Sequence, residues 1–326
     1  MPAWVWDLVK LVVAGLILMI VSVLHVAYLT YAERKIVARM QQRLGPNRVG
    51  PRGLLQPIAD MLKLLTKELI TPYGVDKSLF LLAPFISLVC AATGLALIPV
   101  WKNFVYSNLN VGLLFILALS SLSAYGIVLS GWSSNSRYAF LGGLRSAAQV
   151  ISYEIAMGLS LLSVVLMAGS LNLKDIVEAQ INSPYKLYLI PQFIAFFVFM
   201  VSAVAECNRT PFDLPEAENE LVAGYFVEYS GMRFALFYLA EYFGMIVMSA
   251  LAVTCFLGGW AGPFSVPFMP WFWFLVKLYA LLFVYIWIRA TLPRYRYDQL
   301  MGLGWKVLIP IALANLFLTA LVKLLI

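Results

Sequence analysis

Charge is what this sequence has least of. Only 12% of its 326 residues are Asp, Glu, Lys or Arg, about half the share usual in a soluble globular chain. The mean hydropathy of +0.87 points the same way. A soluble fold is excluded, because such a chain has too little polar surface to cover its apolar side chains. Histidine is almost missing. His25, in the first apolar run, is the single copy and reads as a helix-packing polar group, since haem would want further axial candidates. Cys90, Cys207 and Cys255 are scattered, and no two have metal-ligand or redox spacing. An iron–sulfur cluster or a zinc site carried by this chain alone is therefore not expected, and the expected metal ligands are none.

Also lacking are a glycine-rich nucleotide fingerprint after a strand and a P-loop. Gly142-Gly143 falls in a loop between expected spans and matches neither, so no bound NADH or ATP is expected. A cleavable signal peptide pattern is missing too: the first apolar run is too long for an h-region, and no small-residue cleavage site follows it. No internal repeat stands out, which weakens the reading as an inverted-repeat transporter. The net charge of +7 does not indicate nucleic acid, because the basic residues gather in loops on one face, where membrane topology already demands them.

What is there is a series of apolar runs near twenty residues long. They predict an all-α polytopic membrane protein, a single integral membrane domain over 1–326 with about eight transmembrane helices, at roughly 8–31, 78–101, 111–131, 146–169, 188–206, 234–258, 271–291 and 303–326. Trp4, Trp6, Trp101, Trp132, Trp260, Trp271 and Trp305 fall near span ends, as interfacial aromatics do. The loops at 32–77, 132–145, 207–233 and after 291 carry fifteen Lys and Arg residues, against five on the other side. The positive-inside rule puts the first set in the cytoplasm (or a matrix) and both termini outside.

The first cytoplasmic loop, 32–77, opens with Glu33-Arg34-Lys35 and passes through a Gly/Pro-punctuated turn region at 43–53. An amphipathic helix is predicted from about Leu54 to Ile70. Leu54, Ile58, Met61, Leu62, Leu65 and Leu69 form one stripe, with Asp60, Lys63 and Lys67 opposite. Such a helix lies along the membrane surface. It serves either as an interfacial anchor or as a platform for a partner or a lipid-like substrate.

Carboxyl groups in apolar runs are the sharpest signal. Glu154 lies in the fourth expected span and Glu241 in the sixth. A charge at the centre of a lone span costs roughly 2.5–3.5 kcal/mol on insertion scales. Gly158 and Gly244 follow a turn later and would let a neighbouring helix approach closely. One such carboxyl can be a neutral hydrogen-bond partner between helices. Two, with Glu206 at the end of span five and an acidic segment after it, favour a proton relay.

That segment, the cytoplasmic loop 207–233, is unusual. Six of the sixteen acidic residues fall between Glu206 and Glu228: Glu206, Asp213, Glu216, Glu218, Glu220 and Glu228. Pro211 and Pro215 oppose a continuous helix. Backbone that is neither helix nor sheet survives at membrane depth only when buried in protein or lining a watery cavity. The cluster either holds protons, since close like charges raise one another's pKa, or docks a basic partner. The last loop, Arg289 to Gln299, is positive-inside charge with interfacial tyrosines or counter-charge for the acidic loop.

Four stretches carry a family resemblance: Glu33-Arg34-Lys35 with 43–51; 54–60 with Lys63 and Lys67-Glu68; 138–149 running to Ser152-Tyr153-Glu154; and Glu206-Cys207-Asn208-Arg209 through Glu241. The chain resembles the quinone-chamber membrane subunits of respiratory complex I, the H subunits of bacterial NADH:quinone oxidoreductase, over nearly its whole length. Arg289 to Arg294 fits too.

The resemblance implies a membrane subunit that forms much of the quinone chamber, holds no redox centre, and couples quinone reduction to proton translocation. Quinone is then its substrate, while FMN and iron–sulfur clusters sit on partner subunits. Implied partners are the terminal iron–sulfur cluster subunit, its quinone-site neighbour, small membrane subunits and antiporter-like subunits, in a lipid bilayer and without nucleic acid. Glu33, Arg34, Arg52, Asp60, Lys63 and Lys67 match the junction near quinone access, and Arg294 and Arg296 match chamber-side basic residues. Asp213, Glu216, Glu218, Glu220 and Glu228 match the acidic loop, and Glu154, Glu206 and Glu241 the buried relay. The implied location is a bacterial inner membrane with both termini periplasmic. Competing expectations are a hydrogenase relative that reduces no quinone, a ferredoxin-driven plastoquinone enzyme, and a free-standing ion transporter.

Overall fold

The computed structural model describes residues 3–102, 105–213, 224–262 and 270–325. Its regular elements there are helices, with no extended strand among the described residues. Two compact units divide the chain, Met1–Leu69 and Ile70–Ile326.

The first unit holds α1 (Ala3–Met40) and α2 (Gln56–Thr66). At 1.5 Å per residue the 38 residues of α1 extend about 57 Å, well beyond a ~30 Å hydrocarbon layer. The expected loop from residue 32 is thus helix as far as Met40. The reason is local: 32–40 has no Gly or Pro and consists mainly of good helix formers. Gly50 and Gly53 (φ 71° and 82°) shape the following turn. A Cβ on Gly53 would lie 2.2 Å from the Pro46 carbonyl oxygen, so no other residue fits. Pro57 lies in the first turn of α2, where its missing N–H costs nothing.

The amphipathic helix is shorter than the stripe predicts. It ends at Thr66, and Lys67 is extended, so Leu54 and Leu69 lie outside it. All six stripe residues are exposed. Nothing in Lys67-Glu68-Leu69 breaks a helix. In the second unit the Ile70 amide donates to Ser230 Oγ at 2.9 Å, a tertiary hydrogen bond in place of a helical one.

That unit contains α3 (Lys77–Ala96), α4 (Gly112–Ser133), α5 (Arg137–Ala168), α6 (Leu173–Asn182), α7 (Phe193–Glu206), α8 (Gly231–Phe256), α9 (Pro270–Thr291) and α10 (Tyr297–Leu325). The helix α10 carries a π-turn over Gly304–Leu308. Among the described residues, seven helices are long and apolar enough to cross a membrane. The remaining expected span is α7, whose 14 residues reach only about 21 Å. Pro191 disfavours helix at the residue before it, and residues 183–192 form turns, with the Leu189 amide on the Phe256 carbonyl at 2.9 Å. The surface helix α6 was not expected. Its start was legible in Asn172, whose side chain accepts from the Lys174 amide at 2.9 Å as an N-cap does.

The core lies around α8, where 72% of the most apolar window is buried, against 6% in α1. Close approach depends on glycines, though not on the two expected. Gly158 has nothing within 4 Å, and Gly244 meets only Cys207 Sγ at 3.8 Å. Contact is made instead at Gly126, where a Cβ would fall 2.9 Å from the Ala83 carbonyl oxygen, and at Gly131, 2.6 Å from that of Ala139. Gly142-Gly143 belongs to α5 and not to a loop. A Cβ on Gly142 would lie 2.8 Å from Gly224 Cα, in a 3-10 turn over Gly224–Phe226. Small residues are what such backbone approach requires.

Gly142→Ala should therefore force α5 off the Gly224 turn and destabilise the protein by about 1–3 kcal/mol, as overpacking does. Gly158→Ala, a new methyl in open space, should cost nothing. Thermal unfolding of the two variants in detergent measures the contrast.

Candidate functional site: a carboxylate-lined cavity

The three membrane carboxyls come from three helices and meet. Glu206 ends α7, Glu241 lies in the third turn of α8, and Glu154 is midway along α5. Glu206 and Glu241 line one cavity with Ser87, Ser120, Ser123, Asn208 and Tyr225. Its volume of about 80 Å³ is several times the ~10–15 Å³ one water needs. It is well under the ~300 Å³ at which small-molecule pockets begin. The cavity suits a few waters and excludes a quinone ring.

Serines of α4 connect the carboxyls. Ser121 donates to Glu154, Ser120 hydrogen bonds Glu206, and Glu154 interacts electrostatically with Glu206. On the far side the Tyr225 hydroxyl donates to Glu241 Oε1 at 3.3 Å. One oxygen, Glu206 Oε2, is buried without a hydrogen-bond partner among the described residues. A buried oxygen of this kind in a polar cavity is a water-binding position.

The segment after Glu206 is clamped. Gln149 of α5, fully buried, donates to the carbonyls of Ala205 and Phe212, both at 2.8 Å. The Tyr295 amide donates to the Pro211 carbonyl at 3.1 Å. The rings of Tyr153 and Tyr295 each sit 5.7 Å from Phe212. Asp213 Oδ2 pairs with Arg294 Nη2 at 3.0 Å, with the carboxyl only 7% exposed. Arg209, also buried, lies 4.2 Å above the Tyr242 ring, a cation–π contact. Beyond the turn, Tyr229 stacks on Phe80 at 4.0 Å and donates to its carbonyl at 3.2 Å. Burial pushes the Tyr229 phenol well up, so the hydroxyl remains a donor at any working pH.

The other expected site residues divide. Arg34 Nη1 pairs with Asp60 Oδ2 at 2.6 Å, and Gln56 holds Asp60 Oδ1 at 2.8 Å. Glu33 is buried, while Lys63 and Lys67 are exposed. Arg52 does not join the Arg34–Asp60 pair and lines a separate cleft. Arg296 pairs with its neighbour Asp298 at 3.6 Å, fully outside the clamp. Glu228 is half-buried and meets no cation among the described residues. Glu216, Glu218 and Glu220 lie outside the described residues. Among those described, no three His, Cys, Asp or Glu gather to hold a metal ion.

A family model described as NADH dehydrogenase matches residues 13–320. The chain belongs to this family. Its curated relatives include H subunits of NADH-quinone oxidoreductase from several bacteria. The one from Rickettsia typhi is 57% identical over 304 residues, 91% of this chain and 89% of the relative. The one from Rhodospirillum rubrum is 52% identical over 321 residues, 97% and 95% of the two chains. The one from Paramagnetospirillum magneticum is 51% identical over 323 residues, 98% and 94%.

In this member of the NADH dehydrogenase family, sequence reasoning missed Gln149, Ser120, Ser121, Tyr225 and Arg209. Gln149 alone gave a signal, as an amide inside a run that becomes a span. Removing the clamp's cation, Arg294→Ala, takes the Arg294 guanidinium away from the buried Asp213 carboxyl. Breaking a fully buried pair costs about 3–5 kcal/mol; with Arg294 42% exposed, a loss of about 1–3 kcal/mol is expected. Adding Asp213→Asn should recover most of it, as read in a double-mutant cycle of thermal stability.

Proposed function

We propose that this chain is a membrane subunit of a proton-pumping NADH:quinone oxidoreductase. It forms much of the quinone-binding chamber and couples quinone reduction to proton translocation through Glu154, Glu206 and Glu241. It carries no redox centre; FMN and the iron–sulfur clusters belong to partner subunits. Its partners are the terminal iron–sulfur cluster subunit, that subunit's quinone-site neighbour, small membrane subunits and antiporter-like subunits, in a bacterial inner membrane with both termini periplasmic. Support comes from relatives in NADH-quinone oxidoreductase that are more than half identical over nearly the whole chain. The observation that carries the coupling role is the pair Glu206 and Glu241 on one water-sized cavity.

Quinone takes up two electrons and two protons to become quinol. The Arg34–Asp60 pair and Glu33 stand near quinone access, with Lys63 and Lys67 at the junction. Arg294 and Asp213, with the acidic residues Glu216, Glu218, Glu220 and Glu228, respond to the change in charge. That change acts on Glu206 at the other end of the clamped segment. A proton leaving Glu206 crosses cavity water to Glu241, or passes by the Ser120 and Ser121 hydroxyls to Glu154. Tyr225 orients the Glu241 carboxyl as the proton arrives.

Tagging the chain and purifying it gently tests the assembly. Inhibitor-sensitive NADH:quinone reductase activity in a large complex is the expected result. A complex that evolves hydrogen or accepts only ferredoxin electrons assigns the chain to a relative with a different acceptor or donor, and a lone monodisperse protein assigns it to transport. For the relay, Glu241→Gln keeps the shape of the side chain and removes its proton exchange. Quinone-coupled pumping should fall on the order of 10²-fold, the scale at which a positioned proton carrier contributes, with the complex still assembled. Full pumping at normal turnover in Glu241→Gln would falsify the relay.

A further inference from the structure

In the first unit, a basic cleft lies apart from the Arg34–Asp60 pair. Tyr31, Lys35 and Arg39 of α1 and Arg52 of the following turn line an open cleft of about 360 Å³. Tyr31, Lys35 and Arg39 recur every four residues and so share a helix face. No carboxylate among the described residues pairs with Lys35, Arg39 or Arg52. Lys35 lies 5.6 Å above the Tyr31 ring. The Tyr31 hydroxyl donates to the Arg52 carbonyl at 2.7 Å, which ties the turn to the helix. Arg52 itself sits at φ 56°, a left-handed conformation that a non-glycine residue adopts at a cost. The turn holds it there, beside the other two cations.

We propose that this cleft binds the phosphate group of an anionic phospholipid. Three cations lining one cleft, with no carboxylate among the described residues paired to them, call for an anion, and Arg matches phosphate oxygens in bidentate fashion. A neutral quinone ring offers them nothing. The lipid origin of the phosphate follows from what lies on the same helix face. Val13, Ile17, Val21, Leu24 and Tyr28 fall within about 80° of the Tyr31–Arg39 line at 100° per residue. Their exposures are 47, 57, 58, 53 and 45%. This apolar track runs unbroken to the cations, some 27 Å at 1.5 Å per residue. A lipid covers both at once, acyl chains on the track and phosphate in the cleft. A soluble acidic segment of a partner protein would match the cations and leave the track bare. Anionic leaflets attract basic residues near the surface by just such contacts.

The test uses the intact assembly reconstituted in phosphatidylcholine vesicles. They are doped with either photoactivatable phosphatidylglycerol or photoactivatable phosphatidylcholine. Cross-links are mapped on the segment from Val13 to Arg52. Phosphatidylglycerol should label it preferentially, and the preference should fall about fivefold for each of Lys35→Gln, Arg39→Gln and Arg52→Gln, one juxtamembrane cation's worth. Arg39→Lys, which keeps the charge, should retain most of the labelling. Equal labelling by the two lipids in the unaltered protein overturns the proposal, as does an unchanged preference in the Gln variants. Loss of the preference in millimolar inorganic phosphate would mean a free-phosphate site and also overturns it. Absence of label, with an acidic partner segment cross-linked there instead, does the same. Should a Gln variant fail to assemble, the comparison of the two lipids on the unaltered protein decides alone. None of these readouts depends on quinone turnover.

Discussion

A single buried amide holds the cavity in shape. Gln149 donates to the carbonyls of Ala205 and Phe212, seven residues apart, and so fastens both ends of a stretch that is not helix. Backbone polar groups away from water must find partners inside the protein. Here a side chain of α5 supplies them, where a helix would have used its own ladder. The clamp leaves Glu206 facing the cavity at one end and Asp213 facing Arg294 at the other. Replacing Gln149 by an apolar residue would take the donor from the Phe212 carbonyl and release the segment on which both carboxyls depend.

The clamp works only because the helices around it come unusually close. Gly126, Gly131 and Gly142 bring α3, α4, α5 and the Gly224 turn to backbone contact. That approach delivers the Ser120 and Ser121 hydroxyls to Glu206 and Glu154, and Tyr225 to Glu241. Without a hydrophobic driving force between helices in lipid, packing of small residues and hydrogen bonds across helices has to supply the cohesion. The same contacts therefore assemble the helices and furnish the polar lining of the cavity.

Span positions and the three membrane carboxyls were legible in the sequence because a charge in an apolar run is costly and stands out. Helix ends were not. Residues 32–40 carry charge, which reads as a loop, yet they contain no helix breaker and continue α1 to Met40. Gly142-Gly143 reads as loop punctuation, whereas in α5 the pair gives room to a neighbour's backbone. Pro191 stands inside the expected 188–206 span, and α7 starts only after it. The partners of the carboxyls were invisible for a different reason. Ser120, Ser121 and Tyr225 acquire meaning only through contacts far apart in sequence, and nothing in their own neighbourhoods marks them. Pairing of Asp213 with Arg294, and not with Arg296, is likewise decided by the fold.

The magnitudes say how a charge change would travel through the clamped segment. Moving residues 206–213 as a body means breaking the Gln149 hydrogen bonds to Asn208 Oδ1 and the Phe212 carbonyl, the Tyr295–Pro211 hydrogen bond and the Asp213–Arg294 pair. At ~1 kcal/mol each, that is about 4 kcal/mol, and more where the dielectric is low. A unit charge appearing ~10 Å away at an effective dielectric near 20 supplies only about 1.7 kcal/mol. The perturbation is too small to open the clamp. It is large enough to change the proton occupancy of a nearby carboxyl more than tenfold. Under the proposed relay, the described part of the loop would transmit the change electrostatically, with the backbone held still and the protons moving. A rigid segment serves that purpose better than a mobile one, because a fixed distance turns each charge change into the same shift at Glu206.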